Sequence, residues 1–345
     1  VNADIPTLLP IPHRGQNPYT ELLYRHLQDH GIRIFDGHER KRPDFVHFHW
    51  PHALYAHRNH AVFAAKSLRF FTWLASMRRR GTRVIWTMHN DLPHEAEPRW
   101  LHERARAWMV GASDIILVNF AAASKHIEAR YGRTQDVVHV PHGSYREYYP
   151  RTRDRAEART RLGLPADAFV YLAFGELRPY KRIPELIRTF AGHGDNDAVL
   201  LIAGRAREDG YAATLAALAG SDARIRLSHR RVADDEIQDY FLGSDMLVLA
   251  HPAFSSGTAV LALDFGLPLL APSLHHVEEI AQGAALVAWD PSDPRGLADG
   301  LVRARNVDHA QARVDALVSS EKLDWSPIAR GLAELLRARG TTKSR

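Results

Sequence analysis

The sequence predicts an α/β protein made of two doubly wound parallel-sheet domains. Three observations lead there. The chain has 345 residues, too many for one ordinary core and comfortable for two domains of roughly 150 residues each. Strand-like and helix-like runs alternate along most of its length. The strand-like runs are apolar throughout, which is the pattern of strands covered on both faces.

In the first half TLLPIP, FVHFHW, RVIWTMH, DIILVN and VVHVP read as strands. The helical stretches PYTELLYRHLQDHG, NHAVFAAKSLRFFTWLASMRRRG, EPRWLHERARAWMVG and AAASKHIEARYG separate them. Several end at glycine, as a left-handed cap requires. The second half repeats the rhythm with the strands AFVYLAFG, AVLLIAG, ARIRLS, MLVLA, LPLLAP and ALVAW. Its helices are IPELIRTFAGH, YAATLAALAG, DDEIQDYFLG, GTAVLALDFG, HVEEIAQG and PRGLADGLVRARN. Between the halves the charged stretch YREYYPRTRDRAEARTRLGLPAD breaks the strand rhythm. The expected domains are therefore 1–150 and 151–325. A last helix, 326–345, follows a gap without strand signal, and packing back on the first domain is one place for it. Open parallel sheets bind ligands beyond the carboxyl ends of their strands, so a central cleft faced by both domains is the expected site.

Composition narrows the function classes. Apolar residues make up 45% and charged residues 25%, as in soluble globular proteins. No apolar run reaches the ~18 residues of a spanning helix, and the N-terminal residues do not read as a signal peptide. With no cysteine, disulfides, thiolate catalysis and Cys-ligated metals are excluded. A cytoplasmic protein is expected. The net charge of +5 suits nucleic acid, an anionic membrane or phosphorylated substrates. Zinc-finger spacing, RNP-like aromatics and a long basic tail are all lacking, so no nucleic-acid partner is expected. No strand leads into G-x-G-x-x-G, which disfavours a dinucleotide oxidoreductase.

Two corners carry candidate chemistry. In FGELRPYKRIPELI, Arg178 and Lys181 follow a strand end. Arginine grips two phosphate oxygens and lysine supplies a point charge, so the pair suits a pyrophosphate. A solvated turn, or ion pairs with Glu176 or Glu185, would explain the same residues. In HPAFSSGTAVLALDFG, Ser256, Gly257 and Thr258 precede or open a helix whose first N–H groups suit an anion. Helix capping by Ser256 or Thr258 is the plainer use, and the two are compatible.

FGELRPYK, LLIAG, RRVADDEIQDYFLGSDMLVLA and SSGTAVLALDFGLPLLAPSLHHVEEI, in this order, resemble the C-terminal domain of GT-B glycosyltransferases, above all the bacterial exopolysaccharide group. The likeness is strong over residues 168–305; HFHWP, WTMHN and VPHG carry it more weakly in the first half. It implies two Rossmann-like domains: an acceptor-side domain first, a nucleotide-sugar donor domain second. It implies that Arg178 and Lys181 hold the donor diphosphate without a metal, assisted by Ser256, Gly257 and Thr258. It places Arg231 and Val232 near the nucleobase and Glu279 near the ribose. His89 corresponds to a histidine near the reacting sugar. The usual Glu-x7-Glu pair is absent; Asp264, inside the helix, is the first acid after the turn. Retaining and inverting chemistry both stay open.

A general base is needed if the chemistry inverts, and Asp91, then Glu95, then His94 are its candidates in NDLPHE. A turn at Asn90-Asp91 and a surface His94 are the plain alternatives. Gly15, Gln16, Asn17, His49 and Trp50 are assigned to the acceptor side, and His142-Gly143 either faces the same cleft or forms a turn. The cluster His47, His49 and His52 invites a metal, but 21 histidines make chance clustering expected; no metal and no cofactor are assigned. Finally, the helix over 63–83 combines Phe70, Phe71, Trp73, Leu74 and Met77 with Lys66, Arg69 and Arg78-Arg79-Arg80. It suits a membrane interface, as a peripheral protein at the inner face, or a core helix with solvated arginines. The resulting expectation is transfer of a sugar from GDP-mannose or a UDP-sugar to a hydroxyl of a glycan or lipid-linked saccharide. A hydrolysing nucleotide-sugar epimerase and a non-catalytic nucleotide-sugar-binding partner are the competitors.

Overall fold

The structure is a computed structural model, and it describes residues 5–12, 17–35, 42–91, 98–192, 194–252 and 254–340. The chain divides into two compact units, 1–143 with 324–345, and 144–323. The division falls at Gly143, not at 150, and the C-terminal helix belongs to the first unit.

The first unit runs β1 (Thr7–Ile11), α1 (Pro18–Asp29), β2 (Arg33–Ile34), β3 (Phe45–Phe48), α2 (His52–Tyr55), α3 (His60–Arg79), β4 (Arg83–Met88), α4 (Arg99–Ala112), β5 (Ile115–Val118), α5 (Ala122–Tyr131) and β6 (Val137–His139). Its strands form one parallel sheet in the order β2-β1-β3-β4-β5-β6. Every residue of β3 and of β5 is buried, as continuous apolar strands require. Caps set the helix starts. Asn17 accepts from the Tyr19 N–H before α1, and Asn59 from Ala61 and Val62 before α3.

The second unit runs α6 (Arg155–Arg161), β7 (Phe169–Phe174), a 3-10 turn (Pro179–Lys181), α7 (Ile183–Ala191), β8 (Ala198–Ala203), α8 (Tyr211–Ala219), β9 (Ile225–Ser228), α9 (Ile237–Gly243), β10 (Met246–Val248), α10 (Gly257–Asp264), β11 (Leu269–Pro272), α11 (His275–Ile280), β12 (Leu286–Trp289), α12 (Gly296–Arg305) and α13 (His309–Glu321). Its sheet is parallel in the order β12-β11-β10-β7-β8-β9. One apolar cluster lies on each face.

Two segments differ from the sequence expectation. The charged stretch after residue 150 contains α6, packed against α9. An Asp154–Glu157 capping box starts it. Its arginines are paired with carboxylates: Arg155 and Arg159 with Asp245, Arg161 with Asp239. Buried Arg159 also donates to the Gly243 and Ala168 carbonyls. Charge that reads as a break between the halves is internal pairing. The gap after residue 306 holds α13, capped by Asp308. The last helix, α14 (Trp325–Gly340), packs on α1, and Arg337 donates to the His30 carbonyl.

Candidate active site

Each sheet reverses its strand order once, and in parallel sheets this is where a crevice forms beyond the strand ends. In the second unit the reversal lies between β7 and β10. Gly175 follows β7 directly, with φ +102°, a conformation that L side chains rarely adopt. A Cβ there would lie 3.1 Å from Lys181 Nζ and 3.5 Å from Thr258 Oγ1. The fold thus brings the two corners together over a residue without a side chain. The Tyr180 and His251 rings meet edge to face beside them, with centroids 5.3 Å apart.

The cations here are not alike. Arg178 lies 3.3 Å from Glu176, which also binds Arg207 at 2.5 Å. Glu185 lies 3.6 Å from Arg182 instead. Among the described residues the half-buried Lys181 ammonium has no carboxylate partner. Desolvation lowers it to about 8, with Arg178 pushing the same way and Glu176 opposing. Ser256 is the N-cap of α10, accepting from the Ala259 N–H at 3.2 Å. Gly257 and Thr258 occupy the first turn, where N–H groups lack intrahelical acceptors.

The other residues expected on the donor side stand apart from this corner in the chain. Arg231 is exposed, in the loop after β9. The Val232 side chain is buried in the core, which leaves its backbone for any contact. Glu279 is exposed on α11, whereas its neighbour Glu278 accepts from Ser273 Oγ at 2.6 Å. Asp264 is structural: it accepts from the Tyr145 N–H at 2.6 Å and from Ser320 Oγ at 2.5 Å. Burial raises its carboxyl to about 6.

In the first unit the reversal lies between β1 and β3. A buried layer of rings fills this region. His89 follows β4, stacks on Trp50 at 4.9 Å and meets His49 through Nε2···Nδ1 at 2.9 Å. His49 and His47 both bond the Tyr24 hydroxyl, at 2.6 and 3.0 Å. They face a phenol where a metal reading needs convergent ligands, and among the described residues no group of three potential metal ligands occurs. Asp91 is engaged by His126 at 2.8 Å and by Arg130. Asn17 caps α1. Gly143 holds the C-terminal helix: a Cβ there would overlap the Trp325 indole. Glu95, His94, Gly15 and Gln16 lie outside the described residues.

Sequence reasoning missed Gly175, Tyr24, Thr87 and Trp325. In the sequence Tyr24 is one more apolar position of an amphipathic helix. The helix over 60–79 divides cleanly. Phe63, Phe70 and Leu74 are core, while Leu68 is 70% and Trp73 38% exposed. Among the described residues no helix is long and apolar enough to cross a membrane.

No family model matches the chain. It is 28% identical over 272 residues to a GDP-mannose:glycolipid 4-beta-D-mannosyltransferase of Xanthomonas campestris pv. campestris, covering 76% of this chain and 71% of that protein. It is 25% identical over 367 residues to a D-inositol 3-phosphate glycosyltransferase of Streptomyces scabiei, covering 95% and 77%. Among solved structures, sucrose-phosphate synthase from Thermosynechococcus elongatus superposes with a TM-score of 0.72 at 16% identity, covering 97% and 98%. Anabaena Alr3699/HepE in complex with UDP and glucose gives 0.69 at 16% identity, covering 96% and 99%. At such identities the structures speak for the fold alone. In sequence this chain is similar to bacterial glycosyltransferases, and its fold is the GT-B fold of the solved glycosyltransferase structures.

Proposed function

We propose that the chain transfers a sugar from a nucleoside-diphosphate sugar to a hydroxyl of a glycan or lipid-linked saccharide. GDP-mannose is the first donor to try, because a relative named for it matches over most of the chain. One observation supports the reading: an ammonium without a carboxylate partner among the described residues and a helix start converge over Gly175 at the strand-order reversal. When the bond from the sugar to the diphosphate breaks, the electron pair leaves with the phosphate oxygen. In this reading Lys181, Arg178 and the Gly257–Thr258 amides stabilise that charge. The acceptor hydroxyl takes the anomeric carbon and loses its proton to a base. Asp91, held by Arg130 and His126, and Glu95 remain the candidates.

The work is proposed to take place against an anionic lipid surface. Between Asp44 and Asp91 the sequence has no acid, yet it carries Arg58, Lys66, Arg69, Arg78, Arg79, Arg80 and Arg83. Leu68, Trp73, Trp100 and Trp108 expose apolar area on α3 and α4. Basic charge beside exposed aromatics is the chemistry of interfacial binding.

The donor reading is tested by calorimetry with UDP, GDP, ADP and dTDP on the wild type and on Arg178→Ala/Lys181→Ala. One diphosphate should bind, and the double variant should lose about two orders of magnitude, as two charge-assisted contacts of ~1.5 kcal/mol or more each require. If none binds, or the variant binds equally well, the corner is only a basic turn.

A further inference from the structure

The ring layer of the first unit contains a continuous hydrogen-bonded chain that is buried along its length. Thr87 Oγ1 meets His47 Nε2 at 2.7 Å, and His47 Nδ1 meets the Tyr24 hydroxyl at 3.0 Å. The same hydroxyl meets His49 Nε2 at 2.6 Å, and His49 Nδ1 meets His89 Nε2 at 2.9 Å. Burial lowers His47 and His89 to about 3 and His49 well below its ordinary value. All three imidazoles are therefore neutral at pH 7, each with one N–H and one lone pair.

Five groups then bring five hydrogens to four links. Each link takes one hydrogen, and one is left at an end of the chain. If the polarity ran from His89 to Thr87, the leftover hydrogen would sit on the Thr87 hydroxyl. Thr87 is buried and has no further acceptor among the described residues, which is a costly way to leave a donor. If Tyr24 accepted from both imidazoles, its own hydrogen would be stranded in the same way. The remaining polarity satisfies every link. Thr87 donates to His47, His47 to Tyr24, Tyr24 to His49, and His49 to His89 Nε2. The leftover hydrogen then sits on His89 Nδ1. An acceptor is at hand in this layer: Asn119 Oδ1 is buried with no donor of its own, and Asn119 works against the burial that depresses His89.

We propose that this chain fixes His89 as its Nδ1–H tautomer, with Tyr24 and His49 as positioning residues, so that His89 does not act as the general base. The functional half rests on the placement of His89 near the reacting sugar; the tautomer itself does not. Its Nε2 lone pair is occupied by His49, so a base for the acceptor hydroxyl has to be found elsewhere.

The test is long-range proton–nitrogen correlation NMR on the whole chain with nitrogen-15 histidine, at neutral pH. Loss of one signal set in His89→Gln assigns the residue. The expected wild-type result is a single neutral tautomer with the proton on Nδ1. In Tyr24→Phe, which removes the donor to His49, His89 should fall to a mixture of tautomers. A wild-type His89 protonated on Nε2, or averaged between forms, overturns the proposal, and so does a single unchanged tautomer in Tyr24→Phe. Should that variant fail to fold, the wild-type spectrum decides by itself. The readout needs neither donor nor turnover, so failure of the diphosphate titration would leave it intact.

Discussion

If Lys181 holds the donor diphosphate, its depressed pKa becomes a measurable property of binding. Desolvation puts the ligand-free ammonium at about 8. A diphosphate needs the charged form and raises that pKa when it binds. Between pH 7 and pH 9 the charged fraction in the free protein falls from about nine-tenths to about one-tenth, so the affinity should fall about tenfold. Near pH 8 binding should take up about half a proton. Titration calorimetry in two buffers of different ionisation enthalpy measures that uptake, and repeating it at pH 7, 8 and 9 measures the affinity loss. Lys181→Ala should bind one to two orders of magnitude more weakly, with neither proton uptake nor this pH dependence. Lys181→Arg should also lose the pH dependence, because a guanidinium does not titrate in this range. A wild type that binds tightly with no proton uptake and the same affinity at pH 7 and 9 would refute the reasoning: the diphosphate would then not be touching Lys181.

Three further outcomes are expected. Gly175→Ala forces a Cβ towards Lys181 Nζ and Thr258 Oγ1 at a positive φ; it should destabilise the chain by about 1–3 kcal/mol in urea unfolding and lower diphosphate affinity. Asp264, raised by burial from 3.8 to about 6, contributes most below pH 4, and that contribution is lost as pH rises through 6. The stability of the wild type relative to Asp264→Asn should accordingly shift by about 2.5 kcal/mol in favour of the variant between pH 4 and pH 7, and a flat difference would contradict this. Vesicles with anionic lipid should retain the chain in a flotation assay while neutral vesicles should not; Trp73→Ser/Trp108→Ser and Arg79→Gln/Arg80→Gln should each reduce retention, and equal binding to both vesicle types would remove the lipid-surface reading.

Much of the architecture was legible because it is local. Apolar runs such as VYLAF and VLLIA mark β7 and β8 regardless of what lies beside them, since strands buried on both faces need no alternation. Asn17, Asn59 and Gly132 mark helix ends through contacts within a few residues. Arg178 and Lys181 were legible as cations at a strand end for the same reason. What escaped is whatever depends on partners distant in the chain. The arginines of α6 read only as a charged break in the strand rhythm, because Asp239 and Asp245, which neutralise them, lie about eighty residues on. The importance of Gly175 appears only when Thr258 arrives above it, which the β7–β10 pairing alone arranges. Tyr24 looks like any core position until β3 and β4 lie side by side and bring His47, Thr87, His49 and His89 into one chain. By itself, the sequence determined most of the elements, their parallel pairing and the sign of the charge at the candidate donor corner, because propensity and periodicity act over a few residues. Tertiary structure alone decided which cation lacks a carboxylate among the described residues and which groups join in one buried hydrogen-bonded chain, because those depend on groups that strand order, and not sequence distance, brings within reach.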